Sequence, residues 1–263
     1  MSNFEAVMPE AHGKFLMIDE SHGTREGPEA LYRYVCNLTS RGEKVIVGLE
    51  IEAHQDDTLQ RGFQSEDPVE VWGEGLWIFD TQLSSFGDGR GSCAMMSLLL
   101  RFRDLQRAGA DLEVRAVAGD SDSVASPRIA ALPDMQSRRF AYDAYNLLQV
   151  SDDYEHVIFY AGGLHARRAG AQVDEDGPLF DRSRYLRLAP VIDGGFAQNC
   201  TLGHGCGTNP IERSTLRPSK VLNEHYEVGM DADMGPYFDG YIYLGETTAS
   251  PRYLFTAGLS SCR

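Results

Sequence analysis

Apolar and polar positions follow two rhythms along this chain. Unbroken apolar runs at KFLMI (14–18), KVIVGLEI (44–51), LEVRAVAGD (112–120) and EHVIFYAGG (155–163) read as strands covered on both faces. A strand wetted on one face would alternate instead. Between the runs, apolar residues at helical spacing predict helices over about 28–40, 92–108 and 134–150. RYLRLAPVID (184–193) and YFDGYIYLG (237–245) read as the last strands. This order predicts an α/β fold: a mostly parallel twisted sheet flanked by helices on both faces, in a single domain over 1–263. The polar, glycine-bearing stretches at 53–70 and 195–235 are expected to be long loops, of the kind that form lids or insertions.

In open α/β sheets ligands bind outside the carboxyl ends of the strands, so the residues that follow each run carry the chemistry. FLMI ends on Asp19, Glu20 and His22, and KVIVGL on Glu50 and Glu52. VRAVAG runs into Asp120 and Asp122, and HVIFYAGG into His165, with Arg167 and Arg168 beyond. Plainer readings stand beside these. Asp19, Glu20 or Thr24 can cap the helix that follows, and Asp120 and Asp122 suit a turn. His22 alone reads as an ordinary half-buried imidazole. Glu50 is harder to dismiss, because an acid ending a central strand is costly unless paired or ligated. The Gly-Gly before His165 implies close backbone approach or an unusual backbone angle. Two histidines among carboxylates suit general acid–base chemistry, or metal-assisted hydrolysis through a bound water. No GxSxG, GxGxxG, GxxxxGK[ST] or HExxH occurs, which argues against a serine acyl-enzyme and a nucleotide fold.

Composition narrows the partners. Lys plus Arg number 24 against 39 Asp plus Glu, a net charge of -15 that disfavours nucleic acid and anionic membrane as partners. The expected partner is a small-molecule substrate, with the oligomeric state open. A hydrophobic share of 42% excludes global disorder. No run reaches the ~20 apolar residues of a membrane span, and the first residues lack the features of a secretory leader. The expected location is cytoplasmic as the chain stands, or periplasmic or secreted if a leader has been removed. Of the five cysteines, Cys36 and Cys93 are expected as buried thiols. Cys200, His204 and Cys206 fit a metal clip, a small disulfide loop or an ordinary glycine-rich loop.

In order along the chain, DESHGT (Glu20, His22), VGLE (Glu50), GGLH (Gly162, His165) and YFDGYIYLGETTASP (237–251) resemble the motifs of the superfamily of erythromycin esterases, haem-uptake lipoproteins and Tiki-type proteases. Asp19 stands where that family usually has glycine. The resemblance implies a hydrolase of an ester, lactone or amide bond. His22 would be the general base, Glu20 and Glu50 would orient it or hold a metal, and His165 would complete the pocket. It also implies a substrate-facing arginine, Arg138 or Arg139. A divalent metal is a possible cofactor, with His22, Glu50 and His165 as candidate ligands, and haem a less favoured one. The alternative it offers is a haem- or metal-binding protein without turnover.

Overall fold

A computed structural model describes residues 4–79, 88–119, 127–132, 134–163, 165–166, 185–201, 205–220, 222 and 224–254. Asp120, Asp122, Arg167, Arg168 and His204 lie outside the described residues. Among those described, the strands are β1 (Phe15–Glu20), β2 (Val45–Glu52), β3 (Leu112–Ala118), β4 (His156–Gly162), β5 (Tyr185–Thr201), β6 (Gly205–Ile211), β7 (Val228–Met230) and β8 (Gly240–Thr247). The helices are α1 (Phe4–Ala11), α2 (Glu26–Thr39), α3 (Asp56–Gln64), α4 (Pro68–Gly75), α5 (Cys93–Arg107), α6 (Pro127–Ala130) and α7 (Met135–Gln149).

The strands form one mixed sheet in the order β3-β2-β4-β1-β5-β8-β7, with β6 paired to β5. Pairs β1–β4, β1–β5, β2–β3, β2–β4 and β5–β8 are parallel, and β5–β6 and β7–β8 antiparallel. The side-chain period of two splits each strand between the faces. Leu16, Ile18, Val45, Val47 and Leu49 face the larger core with Leu31, Val35, Leu38, Leu99 and Phe102 of α2 and α5. Phe15, Met17, Ile46 and Phe159 face the other side, where α7 supplies Ala144 and Leu147. Both faces are thus covered, as the continuous apolar runs require. No helix among the described residues is long and apolar enough to cross a membrane.

Two expected loops are structured instead. Residues 53–70 hold a short 3-10 turn (Ala53–Gln55), α3 and the start of α4. Asp67 caps α4, its carboxylate accepting the Glu70 amide at 3.1 Å, and Pro68 follows where its missing N–H costs nothing. Leu59 and Phe63 lie one helical turn apart and bury with Trp72, whose indole N–H donates to the Leu59 carbonyl at 3.0 Å. Part of 195–235 continues β5 and turns back as β6. Gly194 and Gly195 hold φ of +124° and +114°, and a Cβ at Gly195 would lie 2.1 Å from the Thr247 carbonyl oxygen. Only glycine fits that bend. A Cys200–Cys206 disulfide closes the resulting ladder, so this stretch is no metal clip. Cys36 is a free thiol, half-buried where it was expected buried, whereas Cys93 is disulfide-bonded rather than free.

Candidate active site

β2, β4 and β1 are parallel neighbours, so their carboxyl ends open on one edge. The register sets Glu20 beside Gly162, and Leu49, the residue before Glu50, beside Tyr160. Glu20 and Glu50 are both buried, as is Asp19. Asp19 stays within β1 and does not cap α2. The capping contact comes from Thr24, whose hydroxyl accepts the Gly27 amide at 3.4 Å and donates to the Ser21 carbonyl at 2.8 Å.

The turn after β1 is held from two remote directions. Gly23, at φ +75°, presents its carbonyl to the amides of Gln198 (2.9 Å) and Ser250 (2.8 Å). A Cβ there would stand 2.0 Å from the Gln198 carbonyl oxygen, so the turn needs glycine. His22 is thereby fixed over the strand ends.

Glu50 is the hub of the site. Its Oε2 accepts the Gly162 amide at 2.7 Å and lies 3.5 Å from His22 Nε2. Its Oε1 accepts from the Arg90 guanidinium at 2.8 Å and lies 3.2 Å from His165 Nε2. Burial pushes the Glu50 carboxyl upward, but His22, Arg90 and His165 outweigh it and hold the pKa down at about 2. Burial pulls His22 down, yet Glu20, with Oε2 3.2 Å from Nδ1, and Glu50 hold it up at about 10. His22 is therefore an imidazolium at neutral pH. The Nδ1 contact to Glu20 is electrostatic, since its alignment is not that of a hydrogen bond.

His165 sits between two carboxylates. Its Nδ1 lies 2.8 Å from Asp143 Oδ2, and Asp143 Oδ1 accepts the Gly119 amide at 2.5 Å. Asp143 is wholly buried, and burial raises its pKa against the opposing pull of His165. The Phe140 ring meets the His165 imidazole edge-on with centroids 4.9 Å apart, fixing its plane. Asp88 grips Arg90 from the far side with contacts of 2.8 and 2.5 Å, and Trp77 stacks beneath the guanidinium at 4.8 Å.

A cavity of about 680 Å³ opens beside this array. Its wall includes His165, Gly119, Phe140, Tyr142 and Glu52, together with both predicted arginines, Arg138 and Arg139. Arg139 points a terminal nitrogen at Glu52 Oε1 (3.6 Å), and its Nε has no hydrogen-bond partner. His22 is not among the lining residues. The structure thus gathers Glu20, His22, Glu50 and His165 at one strand edge and sets Arg138 and Arg139 in the adjoining wall.

The residues sequence reasoning missed are Arg90, Asp88 and Asp143. Asp143 carried a signal, being an acid on the buried stripe of α7 between Phe140 and Leu147. Arg90 lies in a glycine-rich stretch of no periodicity and carried none. As a metal site the trio of His22, Glu50 and His165 does not fit. Glu50 Oε1 already faces the Arg90 cation, and the trio's ligand atoms do not all fall within 4.8 Å of one another.

No family model matches the chain, and no curated protein matches it by sequence. Solved structures do. A succinoglycan biosynthesis protein superposes with a TM-score of 0.60 at 10% identity, over 92% of this chain and 90% of that one. An erythromycin esterase variant in its open conformation gives 0.57 at 11% identity, over 94% of both chains. The chain has the fold of erythromycin esterase. A Bacillus cereus protein of the same fold gives 0.50 at 11% identity, over 95% and 93%. The resemblance first seen in four short motifs therefore extends to the whole architecture, while at such identities it speaks of fold alone.

Proposed function

We propose that this esterase-fold chain is a hydrolase of ester, lactone or amide bonds that activates water with a histidine. The observation that carries the reading is the single buried carboxylate, Glu50, joining two histidines beside a cavity of substrate size. His165 is the base in this scheme. Asp143 accepts its Nδ1–H; Nε2, which faces Glu50 Oε1 at 3.2 Å, takes the proton from a water that enters beside that carboxylate, and Asp143 and Glu50 both stabilise the imidazolium that forms. The hydroxide equivalent attacks the carbonyl carbon, and the proton on His165 passes to the leaving oxygen or nitrogen. His22 enters already protonated. Its charge favours negative charge developing on the carbonyl oxygen, and it serves as a base only above about pH 10. Arg138 and Arg139, on the cavity wall, suit a substrate bearing a carboxylate or phosphate group away from the scissile bond.

A panel of activated esters and lactones tests the reading. His165→Ala and Glu50→Gln abolish turnover on any substrate found, with the fold intact by circular dichroism. A rate that falls above pH 10 supports His22 as a charged donor. One that keeps rising to pH 10 returns the base role to His22, and full activity in His165→Ala ends the scheme.

A further inference from the structure

The amino end of the sheet, opposite the site just described, carries a second cluster of ligating side chains. His12 follows α1, Glu43 precedes β2, and Glu155 precedes β4. One ligating atom from each lies within 4.8 Å of the other two. Hydrogen bonds tie the three segments together there. The Gly13 amide donates to the Glu155 carbonyl at 2.9 Å, the His156 amide to the Lys44 carbonyl at 3.1 Å, and the Lys44 amide to Glu155 Oε2 at 3.0 Å.

The second observation is His156, the first residue of β4 and 2% exposed. Its ring stands edge-on to the His12 ring, centroids 5.4 Å apart. Its Nε2 is buried, has no hydrogen-bond partner, and lies 3.5 Å from Glu43 Oε2. Buried ring nitrogens ordinarily make a well-aligned hydrogen bond, and the long Glu43 contact is a poor one.

We propose that His12, Glu43 and Glu155 bind one divalent zinc ion, with His156 as the partner that orients Glu43. One imidazole and two carboxylates supply three ligands of a tetrahedral site and leave the fourth for water. Imidazole with carboxylate favours zinc over magnesium or calcium, which prefer all-oxygen shells. Glu43, turned onto the metal with one oxygen, presents the other to the His156 Nε2–H. Metal-bound carboxylates characteristically have such an outer partner, and this one satisfies the orphan nitrogen. The ion ties the end of α1 to the loops entering β2 and β4. The ion braces this edge of the sheet, at the end opposite Glu50.

The test is equilibrium dialysis of the metal-free full chain against zinc chloride, with metal analysis and thermal melts. His12→Ala, at an exposed position, removes one equivalent of zinc, and Glu155→Gln does the same. At a hundredfold excess over Kd, zinc raises the Tm of the unaltered chain by roughly 5 °C and that of His12→Ala by none from this site. Magnesium does not substitute. Zinc stoichiometry unchanged in His12→Ala, or no zinc retained by the unaltered chain, overturns the proposal. An equivalent lost from Glu50→Gln instead places the ion at the other edge and equally overturns it.

Discussion

Gly162 is where the site has least room. Its backbone is not in the left-handed region, so alanine brings no strain in φ, and the entire effect is steric. A Cβ there would stand 2.5 Å from His22 Nε2, 3.1 Å from its Cε1 and 3.2 Å from Glu50 Oε2. Real Cβ contacts essentially never fall below 3.0 Å and are ordinary at 3.4 Å, so the imidazole must retreat by 0.5 to 0.9 Å (3.0 or 3.4 less 2.5). Retreat along the contact opens His22 Nε2 to Glu50 Oε2 from 3.5 Å to as much as about 4.4 Å. With an effective dielectric of about 20, the attraction then weakens by roughly 1 kcal/mol, and the imidazole pKa falls by about 0.7 of a unit. Displacement on this scale costs roughly 10- to 100-fold in kcat/KM. Two-dimensional NMR of the imidazole resonances through pH 7–11 reads the first effect without any substrate, and ester or lactone turnover reads the second. The reasoning is refuted if Gly162→Ala folds normally and leaves both the His22 titration and the rate where they were.

Asp143→Asn is nearly isosteric and keeps an oxygen for the Gly119 amide, but no longer fixes the His165 tautomer; kcat should fall by about 10²–10⁴ with little change in KM. Stability should follow His22 on the alkaline side. Its pKa is raised from 6.5 to about 10, so the stabilisation is fully present below pH 6.5 and is lost as pH climbs through 10, which urea melts from pH 6 to 11 would register. Glu50 behaves in the opposite sense: depressed from 4.5 to about 2, it contributes above pH 4.5 and that contribution vanishes as pH drops through 2, checked by acid melts of the unaltered chain and Glu50→Gln. The two shifts share the His22–Glu50 contact and are not additive. Replacing Cys200 and Cys206 together by Ser opens a loop of sequence separation 6 and should cost about 2 kcal/mol, several degrees of Tm by calorimetry.

The sheet was legible because its central strands are apolar on both faces, and only burial explains that pattern. α2, α5 and α7 were legible from one apolar stripe each. What misled was polarity read as disorder of form. The β5–β6 ladder is built from Gln, Asn, Thr and Gly because much of it is exposed, so it lacks the apolar signal by which strands are recognised. α3 and α4 are short and acidic, and their evidence lay in the Asp67–Pro68 start and the Leu59–Phe63 spacing rather than in bulk hydrophobicity. At the site, residues that end strands announced themselves by position. Arg90 did not, because its place beside Glu50 depends on a glycine-rich approach, with Gly89 at φ +96° pressed against Gly23.

The two hydrogen bonds on the Gly23 carbonyl bear on the order in which the strand-edge cluster can be assembled. One partner is 175 residues further along and the other 227 (198 and 250 less 23). Synthesis delivers His22, Glu50 and His165 well before it delivers Ser250, yet the turn carrying His22 is not pinned until that last partner arrives. Contacts so distant along the chain form late, after their loop-closure entropy has been met by the rest of the sheet. A chain cut before Ser250 therefore carries His22, Glu50 and His165 but leaves the Gly23 carbonyl with one of its two partners.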